Sequence, residues 1–132
     1  MEFEGVHILI AEDSELNQVL TTRQLRVLGY RNVTIARDGE EALAVLARAH
    51  VDLIFMDVQM PNLDGFQTTR CIRLRELGGA RVPIVAMTAN TLAQDREECL
   101  AAGMDDHIGK PVALATLRER VGYWLSVGTG AS

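Results

Sequence analysis

An α/β domain built on one parallel sheet is predicted by three features of the sequence. Short apolar runs of strand length alternate with amphipathic helical patterns five times. The segments joining them are short. The runs are continuously apolar rather than alternating, as strands covered by helices on both faces must be.

Residues 6–11 form the first run, which ends in the adjacent acids Glu12 and Asp13. Ser14 is placed to cap the following helix, where Leu16, Val19, Leu20, Val27 and Leu28 recur at helical spacing until Gly29 stops the pattern. Residues 33–36 are a second strand. Asp38 and Glu41 then have the spacing of a capping box, and Ala42, Leu43, Leu46 and Ala49 supply that helix's apolar side. The third run, residues 53–56, delivers Asp57 and opens into the loop formers Pro61, Asn62, Asp64 and Gly65. Asp64 and Gln67 repeat the capping pattern for a helix that ends near Gly78-Gly79. Residues 82–87 are a fourth strand, with Thr88 at its end. Residues 91–102 make a helix with few large apolar side chains, chiefly Leu92, Cys99 and Leu100, expected to pack loosely and lie largely exposed. Residues 106–109 are a short fifth strand, followed by Lys110-Pro111. Leu114, Leu117, Val121, Trp124 and Leu125 make an amphipathic last helix. The expectation is one domain, 1–132, with a core of about residues 5–125 and a disordered tail over 126–132.

At 132 residues the chain has the usual size of one domain. With 48% apolar and 23% charged residues it has ordinary globular composition. No apolar run approaches the roughly 20 residues needed to span a bilayer, and the start lacks the basic and apolar regions of a secretory signal. Cys71 and Cys99 have no metal-type spacing and suit a reducing compartment as inert thiols. The net charge of −5 argues against a nucleic-acid surface. A cytoplasmic domain without membrane contact is the expectation.

In a sheet of this type ligands sit beyond the carboxyl ends of the strands. Glu12, Asp13, Asp57, Thr88 and Lys110 all fall there, so all can share one rim. Crowded carboxylates repel, and a divalent cation compensates them. An acidic, all-oxygen site suits Mg²⁺, with Mn²⁺ as a substitute; there is no His/Cys cluster for zinc. A carboxylate nucleophile can accept a phosphoryl group. Such transfer depends on neutralising the phosphoryl oxygens, here by the cation, the Lys110 ammonium, and the Thr88 hydroxyl or a backbone N–H. Small Ala89 leaves room for the group to enter. Taken singly, Asp57 could cap a turn, Glu12-Asp13 could be a solvated acidic turn, Lys110 an ordinary surface lysine and Thr88 a helix cap. Their joint placement carries the reading.

These residues carry a resemblance. Glu12-Asp13, Asp57 with Met60-Pro61 and Asp64-Gly65, Thr88-Ala89, and Lys110-Pro111 stand in the order seen in response-regulator receiver domains, the family of the chemotaxis protein CheY. The resemblance covers about residues 5–125. The wording MDVQMPNLDG and AMTAN…GMDDHIGKP is most similar to receivers fused to hybrid histidine kinases. It implies a flavodoxin-like doubly wound (βα)5 sheet of order 2-1-3-4-5 in a two-component or phosphorelay system. It further implies Asp57 as phosphoacceptor, and Asp13, Asp57 and the Gln59 carbonyl as Mg²⁺ ligands with Glu12 acting through water. Lys110 would pair with the phosphoryl group or with Asp57, Thr88 would be the switch hydroxyl, and the Lys110–Pro111 bond would be cis. The implied partners are a histidine kinase or histidine phosphotransfer domain as donor, docking near Leu16, Val19 and Leu20, and a downstream protein on the face of the fourth helix, fifth strand and fifth helix. The isolated domain would carry self-phosphorylation and self-dephosphorylation chemistry, and the dephosphorylation would be slow to moderate because Gln59 and Asn90, which overlook the phosphoryl group, are neutral amides. No output domain follows residue 125, so a stand-alone receiver and a piece of a hybrid kinase both remain open.

One position departs from the family pattern. Where a Tyr or Phe usually stands three residues before the lysine, this chain has His107. The expectation is that His107 serves as the switch ring, sensitive to pH near 6–7; a strand histidine without a role is the plain alternative. His7 and His50 read as structural or surface residues. Two other folds with similar features compete. A phosphatase of the haloacid dehalogenase type needs a second acid two residues after the nucleophile, where Gln59 stands. A flavodoxin-like cofactor module needs a phosphate-cradling loop after the first strand, where Glu12-Asp13 would repel a phosphate.

Overall fold

Five five-residue or shorter strands lie parallel in one sheet: β1 His7–Ala11, β2 Asn32–Ala36, β3 Leu53–Asp57, β4 Ile84–Thr88 and β5 Asp106–Gly109. Their order is β2-β1-β3-β4-β5, as expected. The computed structural model describes residues 5–89 and 93–130, so Asn90, Thr91 and Leu92 lie outside the described residues. Helices α1 Glu15–Val27, α2 Gly39–Arg48, α3 Gly65–Arg75, α4 Ala93–Ala102 and α5 Leu114–Gly130 follow the strands in turn.

The two-residue period of a strand divides the apolar runs between two cores. Leu9, Ala11, Ile54, Met56, Ile84 and Ala86 pack with Ala42 and Val45 of α2, Ile72 of α3 and Cys99 of α4. Ile8, Ile10, Leu53, Phe55, Val85, Met87 and Ile108 pack on the opposite face with Leu25 of α1 and Leu117 and Val121 of α5.

The caps form largely as the sequence predicts. Ser14 accepts from the Asn17 N–H at the start of α1. Asp64 and Gln67 make a complete capping box on α3. Asp38 caps α2, but the Glu41 carboxylate reaches one residue further back, to the Arg37 N–H at 2.8 Å.

Two helix ends differ from expectation, and on α1 the exposure of Val27 does. Helix α3 ends at Arg75 with Glu76 as its cap, short of Gly78-Gly79. Helix α5 runs to Gly130, so residues 126–130 are helical rather than a disordered tail; residues 131–132 lie outside the described residues. Once α5 is docked through Leu117 and Val121, each further residue adds a backbone hydrogen bond without a new nucleus. In α1 the buried face is narrow, Thr21 and Leu25 one turn apart. Leu16 is 68% exposed and Val27 72%, with Val19 and Leu20 also exposed.

The loop after β3 lies tight against the strand end. A Cβ on Gly65 would fall on the Asp57 carbonyl oxygen and within 2.8 Å of Val58 Cα. The Gly65 N–H donates to the Val58 carbonyl at 3.1 Å. Asn62 takes a positive φ of 67° in this loop and donates to Asp38 at 3.2 Å. Glycine is required at position 65 by this close approach, not by its φ.

Candidate phosphoryl-transfer site

Strand register sets the site. Ala11 is level with Met56, Asp57 with Met87, and Thr88 with Gly109. The residues immediately beyond or at these ends, Glu12, Asp57, Thr88 and Lys110, therefore reach one rim. With Asp13, Gln59, Ala89 and others they line a cleft of about 810 Å³.

Asp57 is 4% exposed and Glu12 1%. Carboxylate oxygens of Glu12, Asp13 and Asp57 lie within 4.8 Å of one another, with Asp13 exposed to solvent. The Lys110 ammonium stands 2.8 Å from Glu12 Oε1 and 3.1 Å from Asp57 Oδ2. The contact with Glu12 is an ion pair without the angles of a directed hydrogen bond. The other oxygens are engaged by backbone: the Gln59 N–H donates to Asp57 Oδ1 and the Ser14 N–H to Glu12 Oε2, both at 3.1 Å. Lys110 is held from behind by its own N–H, which donates to the Thr88 carbonyl at 2.9 Å.

One ammonium does not balance this charge. Burial pushes the Asp57 carboxyl up to about 6, and repulsion from Glu12 adds to it, against the Gln59 N–H and Lys110. Burial alone would lower Lys110, but Glu12 and Asp57 hold it above its usual value. A partly exposed all-oxygen acidic cluster with a carboxylate so strained in its charged form has the chemistry of a site for a hard divalent cation.

Every expected site residue of the described part lines this cleft except His107. Glu12, Asp13, Asp57, Gln59, Thr88 and Lys110 are brought together; His107 lies on edge strand β5, half-buried. Its N–H donates to Asp106 at 2.8 Å. The Lys110–Pro111 bond is cis, as the resemblance implies. His7 and His50 lie away from the cleft, as structural and surface residues: His7 Nδ1 lies 2.8 Å from the His50 carbonyl oxygen, and the exposed His50 ring has Nε2 2.9 Å from Asp52. Trp124 is tied to β5, donating to Asp106 at 2.8 Å.

Two site features escape sequence reasoning. The Glu12–Lys110 pair joins opposite ends of the chain and leaves no local signal. The α1 glutamines Gln18 and Gln24, which donate to the carbonyls of Glu12 and Val112, are ordinary surface-type residues by position. Gln18 alone had a signal, standing one turn behind the Ser14 cap with Glu12 within reach.

Residues 8–122 match the family model of the response regulator receiver domain. The chain belongs to that family. As a receiver domain it is 42% identical over 116 residues to the sensor histidine kinase RcsC of Escherichia coli K12, a match covering 88% of this chain and 12% of RcsC. It thus spans about an eighth of the length of that relative. Among solved structures, it resembles the receiver domain of sensor histidine kinase PA1611 from Pseudomonas aeruginosa PAO1, which has a magnesium ion coordinated in its active-site cleft. That likeness has 45% identity and a TM-score of 0.83, over 92% of this chain and 98% of the other. It also resembles the receiver domain of Ssk1 from Saccharomyces cerevisiae, solved with the histidine phosphotransfer protein Ypd1. There the identity is 31% and the TM-score 0.87, over 93% of this chain and 91% of that one. Among the described residues no helix is long and apolar enough to cross a membrane.

Proposed function

We propose that this receiver domain takes a phosphoryl group from a phosphohistidine onto Asp57 and passes the change to a protein partner. An Asp57 carboxylate oxygen attacks phosphorus as the phosphorus–nitrogen bond to the donor imidazole breaks; the imidazole leaves with the electron pair and is protonated by solvent. Asp13, Asp57 and the Gln59 carbonyl would hold Mg²⁺, with Glu12 acting through water. Bound there, Mg²⁺ would neutralise the carboxylates and the incoming phosphoryl oxygens; Mn²⁺ would substitute. Lys110, released from Asp57, would pair with a second phosphoryl oxygen, and the Thr88 hydroxyl would move toward a third.

The observation that carries this reading is the buried Asp57 carboxylate, ringed by two other acids within 4.8 Å and a single ammonium at 3.1 Å. The donor is a histidine kinase or histidine phosphotransfer domain, whose docking surface includes the exposed Leu16, Val19 and Leu20 of α1. The output is a downstream protein at α4, β5 and α5, where the half-buried His107 serves as the switch ring. A cytoplasmic domain, stand-alone or within a longer kinase, fits these partners. Mixing the chain with a phosphotransfer domain labelled on its histidine tests the reading: label should move to the wild type only with Mg²⁺ and not at all to Asp57→Asn. Transfer to Asp57→Asn at the wild-type rate would refute it.

A further inference from the structure

Helix α1 holds two of the backbone segments that bring charged groups into the cleft, those of Glu12 and Lys110. Gln18 Nε2 donates to the Glu12 carbonyl at 2.7 Å. Gln24 Nε2 donates to the Val112 carbonyl at 2.6 Å, joining positions 88 apart in the sequence. Val112 stands two residues after Lys110. The segment between β5 and α5 is therefore tied to β4 through the Lys110 N–H and to α1 through the Val112 carbonyl. Glu12, Gln24, Lys110, Pro111 and Val112 line one recess of about 330 Å³ between α1 and that segment. A segment bordering such a recess has room to shift once its tie is cut. The bond is partly buried, so water replaces it poorly.

We propose that Gln24 is a positioning residue for phosphoryl transfer: through Val112 it fixes the segment that carries Lys110, and so the place of the ammonium against Glu12 and Asp57. This rests on the reading of Asp57 as acceptor. Gln24 touches none of the reacting atoms and acts only through backbone. The four-carbon lysine stem absorbs part of any backbone shift, so the effect is partial. Because Gln24 shares α1 with the exposed Leu16, Val19 and Leu20, a donor pressing on that helix would bear on the Lys110 segment as well.

The chain's single lysine is Lys110, so protein labelled in lysine gives one side-chain NMR signal, that of the ammonium-bearing stem. Gln24→Met keeps length and removes the donor; Gln24→Asn keeps the donor and shortens its reach. Both should move the Lys110 signal and slow phosphorylation by acetyl phosphate about three- to tenfold, the span of one lost hydrogen bond. Mg²⁺ affinity should stay within about twofold, since the acidic cluster lies on other segments. A Lys110 signal unchanged in both variants, whatever their thermal midpoints, would overturn the proposal and leave Gln24 a packing residue. A wild type that takes up no phosphoryl group would instead sink the acceptor reading, while the Lys110 signal still reports on Gln24.

Discussion

Asp57 is under opposing pressures whose balance sets the chemistry of the whole cleft. Its carboxyl is raised from an unfolded value near 3.8 to about 6. Between those pH values the unfolded chain loses its proton first, so stability falls as pH rises through the window. At neutral pH, without metal, the ionised Asp57 therefore destabilises the fold, by up to about 3 kcal/mol if the whole shift is expressed. Asp57→Asn should accordingly melt higher than wild type in chelator, and Mg²⁺ should stabilise wild type far more than the variant. The same proton competes with metal, so Mg²⁺ affinity measured by calorimetry should fall as pH drops through about 6. Lys110→Ala removes the one cation that faces Glu12 and Asp57 among the described residues; phosphorylation should slow about a hundredfold or more, read by initial rates with acetyl phosphate. Asp57, Glu12, Asp13, Thr88 and Lys110 were legible in the sequence because each follows an apolar strand run. The 2.8 Å Glu12–Lys110 pair was not, since only tertiary structure brings those positions together.

Helix termini and inter-element clamps decide how rigidly the rim is presented. Asp64 closes the capping box of α3 and also lines the cleft. Asp64→Ala should lower stability by about 1 kcal/mol in urea denaturation. On the other face, Asp106 receives Arg120 Nη1 and Trp124 Nε1 from α5. Burial would raise the Asp106 carboxyl, but Trp124, Arg120 and the His107 N–H hold it below its usual value. A depressed carboxyl contributes stability at neutral pH that is lost as pH falls below about 3.8, first through the unfolded and then the folded value. Asp106→Ala should cost about 1–3 kcal/mol and shift Trp124 emission, which makes Trp124 a reporter of the β5–α5 junction. The capping residues were legible because caps are local. The buried face of α1 was legible only in part: Leu16, Val19 and Leu20 stand exposed as a docking surface requires, but Val27 suits a core by type and Thr21 and Leu25 hold that face instead, because register against the sheet is a tertiary choice.

Across the molecule, the sheet separates two cores and gathers charge at one rim. The α/β alternation and the strand runs foretold the two-sided packing; order 2-1-3-4-5 came from the resemblance, because periodicity does not choose between topologies. On the function proposed above, phosphorylation would add charge at that rim and shift the population between packings of α4, β5 and α5. With a phosphate mimic and Mg²⁺, amide shifts should concentrate around β5, α5 and the described part of α4 and spare α2. The His107 ring resonances should move when the mimic binds; unchanged ring resonances would remove it from the switch. The most direct test of Asp57 as acceptor is the intact mass of the chain after incubation with Mg²⁺ and acetyl phosphate. Wild type should gain one phosphoryl group that hydroxylamine removes, and Asp57→Asn should gain none. An unmodified wild type, or an equal gain in Asp57→Asn, would contradict the account.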